Sequence, residues 1–219
     1  MQKHRLWVAS LALAGIACGG SWAYAQKAAE QGPARYSDPA KPAQTKAPEA
    51  AAPVLQDLTP AKELALYLDG YHNYKHQADL PPEQQHQMRV THYCQQLNGD
   101  FIQCVVYDGN TKGAHLIGIE HIISDKLYKS LPEREKAYWH PHDGEVDSGM
   151  LQAPGLPAPA HKALMDFARS THGKTWHVWD THQDALPFGE AQLMWAIRPD
   201  QINAETRKSM EERKKNPKF

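Results

Sequence analysis

The sequence predicts an α+β fold, a single domain with a mostly antiparallel sheet and flanking helices. Three observations carry that expectation. Asn98-Gly99, a strong hairpin signal, separates two β-rich arms at 90–97 and 101–107. A second turn at 109–113 leads to a long apolar strand at 115–123. Helical segments then alternate with strands without a regular βαβ rhythm.

The elements follow in order. Thr59-Pro60 reads as a helix cap followed by proline in the first turn, with Leu64, Leu68 and Tyr71 at helical spacing. A rival helix over 82–97 would use Val90, Cys94 and Leu97 as its stripe. The β-branched and aromatic residues of 101–107 favour the hairpin instead. The third strand is apolar on both faces, with Leu116 and Ile122 on one and Ile117, Ile119 and Ile123 on the other. Such a strand is expected to be covered on both sides. Ser124 or Asp125 caps a helix carrying Leu127 and Leu131, and Pro132 starts a second helical piece. After a Pro-rich turn at 154–159, a helix runs through Leu164 and Phe167 and stops at Gly173. Residues 175–179 and 192–197 read as strands, and Asn203 caps a charged terminal helix.

The N-terminus has a different character. Lys3 and Arg5 precede an uncharged apolar run at 6–17, too short to span a membrane comfortably and suited to a secretory signal. Two cleavage sites compete. Ala23-Tyr24-Ala25 is an A-x-A site that would remove residues 1–25, and Ala17-Cys18-Gly19-Gly20-Ser21 is similar to a bacterial lipoprotein site that would lipidate Cys18. Either reading exports the protein, to the periplasm or as an outer-membrane lipoprotein. Residues 26–56 are rich in Ala and Pro and lack the large apolar side chains that offset ordering entropy, so they read as a disordered tether. The folded domain is expected over 57–219.

Cleavage at Ala25 removes Lys3 and Arg5 and moves the formal charge from −1 to −3. No basic face suggests nucleic acid. With a mean hydropathy of −0.66 and no second long apolar run, no membrane span is expected in the mature chain.

Cys94 and Cys104 are disulfide candidates in an oxidising compartment. A two-residue turn at Asn98-Gly99 would set Cys94 opposite Gln103, whereas a three-residue loop would set it opposite Cys104. Two buried thiols packed as small apolar groups are the alternative.

The most informative polar stretch is Trp139-His140-Pro141-His142-Asp143-Gly144-Glu145. In extended backbone His140 and His142 share a face. Two imidazoles with Glu145 make a ligand set for zinc, iron or manganese, or for metal-free acid–base work. The order is similar to a cupin metal site, although cupins place more residues before the carboxylate, and Pro141 does not suit a central strand. The alternative is a loop whose histidines bond locally. Glu120-His121 sits within the apolar third strand, and a buried Glu120 would need a partner, with His140 or His142 the expected one. His92 reads first as packing and second as a ligand. Trp176, Trp179 and Trp195 read as core, while His177 and His182 could add ligands. No Gly-x-Ser-x-Gly elbow or His-Glu-x-x-His helix supports a hydrolase or protease.

Four groups of residues carry a family resemblance. They are Thr91-His92-Tyr93-Cys94 with Gln103-Cys104-Val105-Val106-Tyr107-Asp108, then 116–124 with Leu131-Pro132, then 139–145, and finally Leu186-Pro187-Phe188-Gly189. In these the chain resembles the oil-body-associated protein family, over roughly 60–215. The resemblance implies association with oil bodies in plant members, no established activity or catalytic residue, and a similar Cys pair in a reducing compartment. The signal segment and tether depart from the plant pattern and point away from a cytosolic droplet.

Two functions are carried forward. The first is non-enzymatic lipid-surface or small-ligand binding in the cell envelope. The second is a metal-binding protein or small metalloenzyme using His140, His142 and Glu145, with Glu120 or His92 as further ligands. The sequence leaves the oligomeric state open.

Overall fold

Every strand pairing is antiparallel, and the sheet closes on itself. The computed structural model describes residues 40–216. The expected signal segment with Cys18, and the first part of the expected tether, lie outside the described residues. Helices α1 (Ala43–Leu55) and α2 (Thr59–Lys62) precede β1 (Leu66–Tyr74). The hairpin is β2 (Met88–Asn98) and β3 (Phe101–Tyr107), followed by β4 (Leu116–Ser124). Next come α3 (Asp125–Ser130), α4 (Glu133–Lys136), the two-residue β5 (His140–Pro141), α5 (Asp143–Ser148) and α6 (Ala158–Ala168). Finally, β6 (Thr171–His177), β7 (Gln192–Ala196) and α7 (Ala204–Lys215) complete the described chain.

The strand order is β4-β3-β2-β1-β7-β6, and β6 pairs again with β4. The result is a six-stranded antiparallel barrel with helices around it, so the expected sheet is present but closed. β5 extends alongside β6 where β7 stops, pairing His140 with Gly173. Closure removes the sheet's free edges.

Inward residues alternate along each strand. On β2, Met88 and Val90 belong to one apolar cluster and Cys94 to another, with His92 between them. On β4, Ile117 and Ile122 flank Glu120, a register shift beside Leu116 bringing Ile117 inward, and the strand expected to be covered on both faces leaves Leu116 and Ile119 exposed outside. A polar layer is thus enclosed between two apolar ones. Facing outward, cross-strand partners Tyr67, Tyr93, Val105, Ile119, Trp176 and Leu193 form a continuous apolar belt.

Several expectations are corrected. The helix expected through Leu64, Leu68 and Tyr71 stops at Lys62, and β1 replaces it. Both faces of β1 are buried because α7 covers the outer one. Arg213 reaches Asp69 Oδ1 at 2.5 Å and Met150 O at 2.8 Å, and Tyr71 Oη lies 2.9 Å from Ser209 Oγ. A strand buried on both faces has no polar–apolar alternation to read. The tether reading also changes, because α1 is helical although none of its residues is buried.

In the hairpin, Leu97 is bulged, with Gln96 opposite Ile102 and Asn98 opposite Phe101. That one-residue shift sets Cys94 directly opposite Cys104, and the two sulfurs form a disulfide. The caps at Ser124 and Asn203 are present, accepting from Leu127 N at 3.2 Å and Thr206 N at 2.8 Å.

Candidate metal centre

Glu120 projects from the middle of β4 into the barrel, 3 % exposed. His92 on β2, His140 on β5 and His142 just before α5 surround its carboxylate. His92 Nε2 lies 2.9 Å from Glu120 Oε2, His142 Nε2 lies 3.2 Å from Oε1, and His140 Nε2 lies 3.6 Å from Oε1. All three histidines are buried. His72 on β1 and His177 on β6 continue the cluster, joined by a 3.1 Å contact between His72 Nδ1 and His177 Nε2. The donor atoms of Glu120, His140 and His142 lie within 4.8 Å of one another, as do those of His72, His92 and Glu120.

Backbone geometry makes the convergence possible. Gly173 of β6 stands opposite both Ile122 and His140. A Cβ there would overlap Glu120 Oε1 and lie 2.6 Å from His142 Nε2 and 2.9 Å from His140 Nε2. The expected helix stop at Gly173 is therefore a mid-strand glycine that leaves room for the donors.

The hydrogen bonds fix one imidazole. Thr171 Oγ1 donates to Ala168 O at 2.7 Å, so its oxygen is left to accept from His142 Nδ1 at 2.8 Å. A neutral His142 then carries its lone pair on Nε2, pointed at the Glu120 carboxylate. Two acceptors facing each other need a proton or a cation between them. This arrangement, with Nδ1 held by an outer partner, matches that of metal-ligating histidines. His140 has both ring nitrogens buried without a hydrogen-bond partner, and His92 Nε2 approaches Glu120 without hydrogen-bond alignment.

Electrostatics divide the groups. Burial pushes His140 down to about 3, with His142 adding to the effect. Burial likewise holds His177 at about 3. His72 is pushed well below its ordinary value by burial and by His92 and His177. Burial acts to raise Glu120, but the imidazoles of His142 and His92 prevail and hold it well below the usual carboxylate range. Glu145 goes the other way, raised well above that range by burial and by the Glu120 charge.

The structure thus brings together His92, Glu120, His140 and His142. Glu145 is buried on α5 but is not a member of either donor triplet, and Glu120 occupies the carboxylate position. Sequence reasoning singled out neither His72 nor Thr171, and it took Gly173 for a helix stop. An isolated glycine within a strand, marking close approach, was the available signal for the last.

The fold and centre define a class, that of a closed antiparallel barrel holding a buried imidazole–carboxylate cluster. Within that class, the chain belongs to the family described as protein of unknown function DUF1264, which matches residues 58–218. It is similar to oil body-associated protein 2A of Arabidopsis thaliana, 37% identical over 153 residues, 69% of this chain and 59% of the relative. It is also similar to oil body-associated protein 1A of Zea mays, 36% identical over 162 residues, 73% of this chain and 66% of the relative. The chain therefore spans about three fifths of the length of the first of these relatives. No solved structure matches the chain. No helix among the described residues is long and apolar enough to cross a membrane.

Proposed function

We propose that this protein binds a divalent transition metal at the barrel centre, through His92, His140, His142 and Glu120. The observation that carries the reading is the facing of His142 Nε2 and Glu120 Oε1 at 3.2 Å while Thr171 holds His142 Nδ1. Three imidazoles and one carboxylate suit zinc, iron or manganese. When bound, such an ion supplies Lewis acidity and lowers the pKa of a coordinated water. The test is metal analysis of tag-free protein purified without chelator, beside the His140→Ala/His142→Ala and Glu120→Gln variants. Near-stoichiometric metal in the parent, lost in both variants, is expected. No metal in the parent, even after incubation with zinc, iron and manganese, would overturn the reading.

A second reading is attachment to a lipid surface. Two observations favour it: the relatives named as oil body-associated, and the outward belt on which Ile119 is 47% exposed. Flotation with phosphatidylcholine vesicles at low salt tests it. Co-flotation that Ile119→Asp abolishes is expected, and failure of the parent to float would sink the idea.

A further inference from the structure

A second cluster of nitrogen and oxygen donors lies outside the barrel centre. His86 precedes β2, and Asp180 and His182 follow β6, so all three sit at the rim where β1 and β6 end and β2 begins. Their donor atoms lie within 4.8 Å of one another. Asp180 Oδ2 is 3.0 Å from His86 Nε2, and Asp180 Oδ1 is 3.7 Å from His182 Nδ1. Ligands of a tetrahedral zinc ion, each about 2.0–2.1 Å from the metal, stand about 3.3 Å apart, and each of these separations, one to Oδ2 and the other to Oδ1, is near that value.

Asp180 is held ready. Its Oδ2 accepts from Tyr74 Oη at 2.7 Å and from Gln183 Nε2 at 2.8 Å, while Oδ1 accepts from the His182 backbone N at 3.0 Å. The side chain is 8% exposed. Despite its short approach, the buried His86 Nε2 has no aligned hydrogen-bond partner. A simple ion pair would align an N–H with the carboxylate. A nitrogen close to the oxygen but not aimed at it is arranged to share a third body. His182 comes from the solvent side, 58% exposed, so its ring can rotate into place without disturbing packing.

We infer that His86, Asp180 and His182 form a second, solvent-accessible metal site, taking a borderline divalent cation such as zinc and leaving a coordination position open to solvent. Two nitrogen donors out of three select against magnesium and calcium. The site is independent of the barrel centre, since none of its residues belongs to that cluster.

Zinc titration of the full chain by calorimetry, at neutral pH and with excess magnesium present, tests the inference. The chain and its His182→Ala variant are compared, in both the parent and the His140→Ala/His142→Ala background. One equivalent of zinc that survives the barrel substitutions, and is lost or weakened at least tenfold by His182→Ala, is expected. Since a barrel variant could unfold, ring-nitrogen NMR of the otherwise unaltered chain is the second measurement. His86 and His182 signals should shift on adding zinc and stay put on adding magnesium. Equal zinc stoichiometry and affinity with and without His182, or unmoved His86 and His182 signals at excess zinc, would refute the site.

Discussion

The barrel centre and the barrel rim use the same side chains in opposite surroundings. At the centre, burial dominates, and it holds His140 and His177 near 3. At the rim, half-buried His86 is raised instead, first by its approach to Asp180. Burial acts to raise Asp180 too, but His86 and Tyr74 outweigh it and leave the carboxyl depressed. An imidazole beside a carboxylate does not have one fixed behaviour. The buried imidazoles of His140 and His177 stay neutral, which is the state that ligates metal. Where one histidine meets one carboxylate near water, the metal-free imidazole is raised rather than lowered.

The comparison can be broken most sharply at Gly173. A methyl group there must displace Glu120 or the two imidazoles. Gly173→Ala should cost about 1–3 kcal/mol through overpacking and abolish metal uptake at the centre, leaving the rim untouched. Urea unfolding and metal content check both effects. A variant as stable as its parent and fully loaded would mean that the centre has the slack of a surface site.

A smaller effect should appear in the pH dependence of the metal-free protein. His140 and His177 have folded pKa values below their unfolded ones. As pH falls below about 6.5, the unfolded chain binds protons that the folded chain refuses. Stability is then lost toward pH 3 by on the order of 1 kcal/mol per pH unit for each histidine. The rim pair has the other sign on its imidazole. Because His86 is raised, its contribution is present below the unfolded value and fades as pH rises through the folded one. Asp180→Asn should therefore flatten the alkaline side and leave the decline between pH 6.5 and 4 in place. Urea midpoints across pH 4–9 read both limbs. Buried Glu145, raised, works against this decline, so it is read in a Glu145→Gln background, where a metal-free midpoint that holds constant from pH 7 to 4 would show that the centre is not dry.

Much of this was legible locally. The hairpin, the apolar β4, the caps at Ser124 and Asn203, and the need of a buried Glu120 for His140 or His142 all follow from neighbouring residues. What failed was set by distant partners. β1 lost its alternation because α7, far along the chain, covers Asp69 and Tyr71. Gly173 was misread because its reason lies in side chains of β4 and β5. The one-residue bulge at Leu97 decided the cysteine register, and the hairpin dipeptide alone left two registers open. Closure depends on the pairing of β4 with β6, and nothing within either strand specifies it.

That pairing also bears on access to the centre. Glu120 stands on β4, opposite Thr175 in the seam with β6, one of the pairings that close the barrel. Before the seam forms, the carboxylate is on an edge. Afterwards it is shut between two apolar layers. An ion captured as the chain folds would be sealed in, while one arriving later waits for the seam to part. If the centre binds an ion as proposed, its exchange would be governed by how often the barrel opens, a clock kept by the backbone and largely separate from how tightly the ligands hold.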